Sequence, residues 1–253
     1  MNTLSIVMPA LNEAPNLPRV MATMPLERLR ADGWDTEVLV VDNASTDGTG
    51  DVARSLGARV VEQPARGYGN AYHAGFAAAE GDVIATGDAD CTYPFDALPY
   101  LLRILVAQDV EFMTTDRLGR ANRHAMCLSH RIGNHVLSAM SRGLFRNGLH
   151  DSQSGMWIFR RRIWRDLDVR ATGMVFSQEI KNSATLSGYR CLEVPIEYRK
   201  RAGEVKLHAL RDGTAEILQL IEHRIRSTAR RTPAPARGPA PAAAGQRAQG
   251  RAA

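Results

Sequence analysis

Short apolar runs rich in valine and isoleucine punctuate the first third of the chain, each followed by a polar cluster and then a stretch with helical spacing. Residues 4–8, 37–41, 58–61 and 82–86 have the length of strands. Their nearly continuous apolar character is that of strands buried on both faces. Between them, residues 16–24, 47–56 and 70–79 read as helices. This βαβαβαβ order predicts an α/β fold with a Rossmann-like, mostly parallel sheet and helices on both faces. Ligands in such sheets bind outside the carboxyl ends of the strands. The polar residues gather at those predicted tips: Asn12 and Glu13, Asp42 and Asn43, then Asp88 and Asp90.

The pattern loosens in the second half. Residues 94–108 read as a helix, 110–115 as a strand, 156–159 as a strand, 175–186 as a helix and 191–195 as a strand; residues 214–225 form a closing amphipathic helix. Residues 128–145 place Leu128, Ile132, Val136, Met140 and Leu144 at helical spacing, with His130, Arg131, His135, Arg142 and Arg146 interleaved. Two readings stand side by side: a basic amphipathic helix lying on a membrane surface, or a core-facing helix with a charged outer side. No internal repeat is present.

Composition narrows the class. The 253 residues, 44% of them hydrophobic, suit one sizeable domain over residues 1–226 followed by a tail over 227–253. No run approaches the roughly 20 apolar residues that span a bilayer, and the start lacks the basic and small-residue features of a signal peptide. Cys91, Cys127 and Cys191 are scattered and odd in number, which predicts neither a disulfide framework nor a zinc site and fits a reduced cytoplasm. The net charge of +5 invites a nucleic-acid reading, but its location removes it. Arg230, Arg231, Arg237, Arg247 and Arg251 supply the whole excess, and residues 1–226 are formally neutral. That Pro/Ala/Gly/Arg-rich tail lacks periodicity and is expected to be disordered. It is either a solvated appendage or a contact for anionic headgroups, at about 1 kcal/mol per basic residue.

The chemistry centres on Gly87-Asp88-Ala89-Asp90 at the end of the fourth run. In extended backbone, residues two apart point to the same side, so Asp88 and Asp90 can share one hard divalent cation, Mg²⁺ or Mn²⁺. Such a cation takes its remaining ligands from water and substrate phosphate. After the second run, Asp42 is placed to accept hydrogen bonds from a nucleobase or ribose, while Thr46 or Asp47 would cap the next helix. Gly67-Tyr68-Gly69-Asn70-Ala71 lacks the third glycine of a dinucleotide fingerprint. Its glycines would still let backbone N–H groups approach a ligand.

Together, Pro9-Ala10-Leu11-Asn12-Glu13, the VVDNASTDGT segment at 40–49, the glycine pair at 67–69 and the acidic pair resemble the family 2 glycosyltransferases of GT-A fold. The segments at 151–156, 176–180, 193–196 and 200–207 resemble the branch that makes polyprenyl-phosphate (dolichol-phosphate) mannose or glucose. The likeness runs over about residues 4–210. It implies that Pro9, Leu11, Glu13, Val41, Asp42 and Asn43 hold the nucleoside, and that Asp88, Ala89 and Asp90 hold metal and diphosphate. Arg117 would lie near the phosphates and Arg131 would face an acceptor phosphate. Lys200 or Arg201, with Lys206, would belong to a basic loop over the donor. Asn43 stands where a second acid is frequent in that branch, Leu11 where an aromatic is frequent, and Val205 where a serine is usual.

The activity implied is inverting transfer of a hexose from a nucleoside diphosphate sugar to a polyprenyl phosphate, at the cytoplasmic face of a membrane and with no role for nucleic acid. An anionic acceptor needs alignment more than deprotonation; Asp151 is the candidate base if the acceptor is a hydroxyl, and otherwise a structural aspartate. A soluble acceptor and a non-catalytic nucleotide-sugar-binding module remain the alternatives.

Overall fold

The computed structural model describes residues 2–201 and 209–229, with the backbone alone for 209–215 and 229. Seven strands form one sheet in the order β3-β2-β1-β4-β6-β5-β7. β1 (Asn2–Ala10) pairs in parallel with both β2 (Trp34–Asp42) and β4 (Val83–Thr86), and β2 with β3 (Arg59–Glu62). β6 (Trp157–Arg160) runs antiparallel to β4 and to β5 (Phe112–Asp116), and β5 pairs in parallel with β7 (Cys191–Pro195). The sheet is thus mostly parallel, as the sequence predicts, with β6 the antiparallel member.

Alternation along the central strands explains the double burial. Leu4, Ile6 and Met8 of β1 enter the core shared with α1 (Leu17–Ala22), α2 (Leu26–Ala31), α3 (Thr49–Ser55) and α5 (Leu98–Ala107). Val7, Leu39 and Val41 face α4 (Tyr68–Ala78) and α7 (Phe176–Leu186), against Tyr72, Phe76 and Phe176. Two apolar faces per strand leave no alternating polar row, which is why the runs look continuous in sequence. α6 (Leu128–Phe145) and α8 (Ala209–Ala229) pack on each other and on α7 outside this sandwich.

Two differences from expectation have local causes. The single helix expected at 16–24 is followed by a second short one, because Pro25 ends the first and starts α2. α8 begins before residue 214 and continues to Ala229, past the expected start of the tail. Residues 230–253 lie outside the described residues.

Candidate active site at the carboxyl ends of the strands

β1 sits between β2 and β4 in a parallel set, so the strand order reverses beside it and a crevice opens at the carboxyl ends. Each of the three strands leaves the sheet through a left-handed residue that is not glycine: Asn12 (φ 54°), Ala44 (φ 60°) and Cys91 (φ 67°). Such conformations cost about 1 kcal/mol or more each, and the first two lie in loops tied together by side-chain hydrogen bonds. Asn12 Oδ1 accepts from the Thr46 N–H at 2.8 Å, and the Asn12 N–H donates to Ser45 Oγ at 3.0 Å. Asp42 Oδ1 accepts from the Ser45 N–H at 3.0 Å. Asp47 binds the N–H of Thr49 at 3.0 Å and that of Ala14 at 3.1 Å, so it both caps α3 and fastens the loop after β1.

Glu13 is buried in this lattice: its carboxylate accepts from Asn16 Nδ2 at 2.6 Å and its N–H donates to Thr49 Oγ1. Asn43 is also buried. Its Nδ2 donates to the carbonyls of Gln63 (3.1 Å) and Ala65 (2.8 Å), and its Oδ1 accepts from the Gly67 N–H at 2.8 Å. An amide can do all three and a carboxylate cannot donate, which accounts for Asn at this position. The Val41 side chain lies in the α4-side core rather than in the crevice. The close-approach role expected for the glycines at 67 and 69 is taken by chain instead of ligand: a Cβ at Gly69 would stand 2.2 Å from the Ala171 carbonyl oxygen, and the Asn70 N–H donates to Thr172 O.

At the tip of β4, Asp88 keeps some surface toward the crevice while Asp90 is 3% exposed. Asp90 Oδ1 accepts from the Thr92 N–H (3.1 Å) and hydroxyl (2.6 Å), and its Oδ2 meets Arg201 Nη2 at 3.2 Å. Asp88 Oδ1 accepts from the Tyr68 hydroxyl at 3.0 Å. Burial first, then the charge of Asp90, push the Asp88 carboxyl up to about 7, against the pull of Tyr68, Arg201 and Arg117. Gly155 makes the room beneath: a Cβ there would lie 2.3 Å from the Tyr68 hydroxyl and 3.6 Å from Asp88 Oδ1. Among the described residues no group of three His, Cys, Asp or Glu side chains could enclose a metal. Two hard carboxylate donors beside a crevice fit a Mg²⁺ or Mn²⁺ ion that completes its shell with water and substrate phosphate.

Across the crevice, Arg117 follows β5 and is 8% exposed. It grips Asp151 bidentately, Nε to Oδ2 at 2.7 Å and Nη2 to Oδ1 at 2.9 Å, and its N–H adds a third bond to Oδ2 at 3.0 Å. Tyr198 lies under the guanidinium at 5.3 Å, and Tyr93 receives Nη1 at 3.4 Å and the Gly155 N–H at 2.6 Å. Burial would raise Asp151, but the charge and hydrogen bonds of Arg117, with the charge of Lys181, outweigh it and hold the carboxyl below its usual range. Lys181 on α7 donates to the Asp151 carbonyl at 2.9 Å, and burial brings its ammonium down to about 7. Arg131 on α6 donates to the carbonyl of Leu118, next to Arg117, at 3.1 Å.

The outer face of α6 departs from the core-facing reading of its pattern. Leu128, Ile132 and Val136 are 72%, 55% and 49% exposed, while Leu137, Ser138, Ser141 and Phe145 face inward. The first three members of the apolar stripe read from the sequence therefore point outward, and Met140 and Leu144 are half-buried. Leu218, Ile221 and Ile225 of the adjoining α8 are exposed as well. No helix among the described residues is long and apolar enough to cross a membrane.

Residues 5–168 match the family described as Glycosyl transferase family 2. The chain belongs to that family. It is 38% identical over 219 residues to the low-salt glycan biosynthesis hexosyltransferase Agl6 of Haloferax volcanii, which covers 85% of this chain and 52% of that protein. The chain thus spans about half the length of that relative. It is 36% identical to a dolichyl-phosphate hexose transferase of the same organism, covering 84% of this chain and 90% of the relative. Its fold is GT-A: glucosyl-3-phosphoglycerate synthase of Mycobacterium tuberculosis, crystallised with Mn²⁺, UDP and phosphoglyceric acid, superposes with a TM-score of 0.65 at 24% identity, over 89% of this chain and 78% of that one.

The structure of this family 2 glycosyltransferase brings Asp88, Ala89, Asp90, Arg117, Arg201 and Asp151 near one another, with Arg131 beside them, Pro9 at the end of β1 and Leu11 and Glu13 in the loop after it. Asp151 has both oxygens committed to Arg117, so the base expected for a hydroxyl acceptor is in this structure an ion-pair partner. Of Lys200 and Arg201, the lysine is exposed and the arginine reaches Asp90. Lys206 lies outside the described residues. The roles of Tyr68, Tyr93, Gly155 and Lys181 are what sequence reading passes over; a tyrosine three positions after Asp90 carries no periodic signal, and a lysine in a largely polar helix looks like a surface residue.

Proposed function

We propose that this family 2 glycosyltransferase moves a hexose from a nucleoside diphosphate sugar to a polyprenyl phosphate with inversion at the anomeric carbon. The observation that carries the reading is one juxtaposition. The acidic pair beyond β4 lies near enough to Arg117 for that charge to act on Asp88, and α6, tied by Arg131 to the carbonyl next to Arg117, turns Leu128, Ile132 and Val136 outward. From Arg117 to His150 the chain holds six arginines and four histidines and no acidic residue. Such a segment suits an anionic leaflet and a phosphate attached to a long apolar chain. The similarity to a dolichyl-phosphate hexose transferase supports the same reading.

Asp88 and Asp90 would hold Mg²⁺ or Mn²⁺, which supplies charge neutralisation to the departing diphosphate. The loops after β1 and β2, with Pro9, Leu11, Glu13 and Asp42, seat the nucleoside; Asn43 contributes by fixing the loop at 63–67. Tyr68 orients Asp88, and Arg201 offers a guanidinium that diphosphate oxygens accept bidentately. Arg117, oriented by Asp151, and Arg131 align the acceptor phosphate and offset its repulsion from the donor. A phosphate oxygen forms the new bond to the anomeric carbon as the bond to the diphosphate breaks. The nucleophile is already an anion, so no side chain has to remove a proton.

Release of nucleoside diphosphate from GDP-mannose or UDP-glucose, with and without polyprenyl phosphate and Mn²⁺, tests this reading. Release should require the lipid and the metal, and fall on the order of 10³-fold in Asp90→Ala, the equivalent of several kcal/mol of charge stabilisation. Equal release with soluble hydroxyl acceptors alone would exclude the lipid phosphate as the acceptor.

A further inference from the structure

Asp90 is the more committed of the two acids beyond β4, and its commitments are divided. One oxygen is fixed by the backbone and hydroxyl of Thr92. The other is held by a guanidinium that reaches it from far along the chain. The segment that delivers Arg201 is fastened on both sides. The Ile196 N–H donates to Asp116 O at 3.1 Å, and Asn122 receives the Tyr198 N–H at 2.9 Å while donating to Ile196 O at 2.8 Å. The Arg199 N–H donates to Thr92 O at 2.9 Å, and its guanidinium pairs with Asp96 at 2.8 Å. Among the described residues these fastenings end at Arg199. Arg201 lies two residues beyond them with its side chain 30% exposed, whereas that of Asp90 is 4% exposed. The guanidinium can therefore leave without disturbing the strap behind it, and the carboxylate cannot follow.

We propose that Arg201 is a built-in counter-cation for Asp90. It occupies the position of the divalent ion until a nucleoside diphosphate arrives, so that metal and nucleotide enter as a pair. This rests on the reading of Asp88 and Asp90 as the metal ligands. A divalent ion arriving alone has to displace the guanidinium and then sit next to an unpaired positive charge. The same ion arriving with a diphosphate brings the partner that the guanidinium needs, since phosphate oxygens receive the two N–H groups of arginine as a carboxylate does. The contact thus makes metal affinity depend on nucleotide and, by linkage, nucleotide affinity depend on metal to the same factor. It also keeps two adjacent carboxylates from facing each other without a cation in the free protein.

The experiment is Mn²⁺ binding to the full chain, read from the loss of the free-ion electron paramagnetic resonance signal, with Mn²⁺ alone and with UDP or GDP added. In the absence of nucleotide, Arg201→Ala should bind Mn²⁺ about tenfold more tightly than wild type, within the usual span of coupling between sites. It should also lose most of the gain that nucleotide confers on wild type. Arg201→Lys, which keeps the charge, should stay near wild type. Arg199→Ala removes an equal charge nearby and should change nothing; if it tightens Mn²⁺ as much as Arg201→Ala, the effect is a general field and the proposal fails. Unchanged affinity in Arg201→Ala also overturns it. Asp90→Asn separates this failure from that of the site itself. If Mn²⁺ binding survives that change, Asp90 is not a ligand and both readings fall; if binding is lost while Arg201→Ala stays at wild-type affinity, only the counter-cation falls.

Discussion

The two sides of the crevice are held by different kinds of bond. On the side of β1 and β2, neutral and singly charged side chains tie backbone to backbone: Asn12, Asn43 and Asp47 each bind main-chain groups of a neighbouring loop, and Asp42 binds one of its own. On the side of β5 to β7, buried full charges answer one another, with Arg117, Asp151 and Lys181 in a chain from strand to helix. The first design fixes loops in strained shapes at modest cost per bond. The second aims a guanidinium with little freedom but makes each member dependent on its partner. A site that must recognise a flat, neutral nucleoside suits the first; one that must align a charged group suits the second.

Removing one charge should therefore do the most harm. Asp151→Ala leaves Arg117 buried and unpaired, and the fold should lose about 3–5 kcal/mol, read from denaturant midpoints. Adding Arg117→Met should recover much of that loss, and a loss under about 1 kcal/mol would mean that the pair is not the brace described. On the other side, Asn43→Asp puts a carboxylate against two carbonyls. It should cost about 1–3 kcal/mol in the same measurement, even though it brings the chain nearer the acidic pattern frequent in the branch it resembles. A gentler probe spans both sides. A metal needs Asp88 ionised, and that carboxyl stands at about 7, so Mn²⁺ affinity should fall as pH drops below 7, by up to about tenfold per unit. A flat profile between pH 6 and 8 would remove Asp88 from the ligand set. The least effect on the fold, within about 0.5 kcal/mol, is expected for Ile132→Gln with Val136→Gln, since both side chains are exposed. Cosedimentation with anionic vesicles should nevertheless fall several-fold. Unchanged cosedimentation would end the reading of α6 as a lipid-facing helix.

The two sides also differ in how far they can be read from sequence. Strands buried on both faces produce unbroken apolar runs, so β1, β2, β3 and β4 and the acids at their tips were legible, as was α6 to its end residues. The roles of Asn43 and Val41 were not. A position in a motif says that a residue is near a ligand but not whether its side chain turns toward the ligand, the core or another loop. On the other side the obstacle is distance along the chain. Arg117 and Asp151 are 34 residues apart and Asp90 and Arg201 farther still, and no local pattern records which charge a given arginine will meet. The orientation of α6 was open for a related reason, because an apolar stripe has the same spacing whether it faces a core or a surface.

Because β6 runs against its neighbours, the chain leaves the crevice at Asp116 and comes back to it at Asp151 before entering the sheet again. Everything between, α6 included, is an excursion whose first and last residues are clasped by one ion pair. Lengthening a loop that is already closed in this way adds only slowly to its entropic cost. The excursion is therefore built as a cartridge: a change in its length need not disturb the register of β1 to β4.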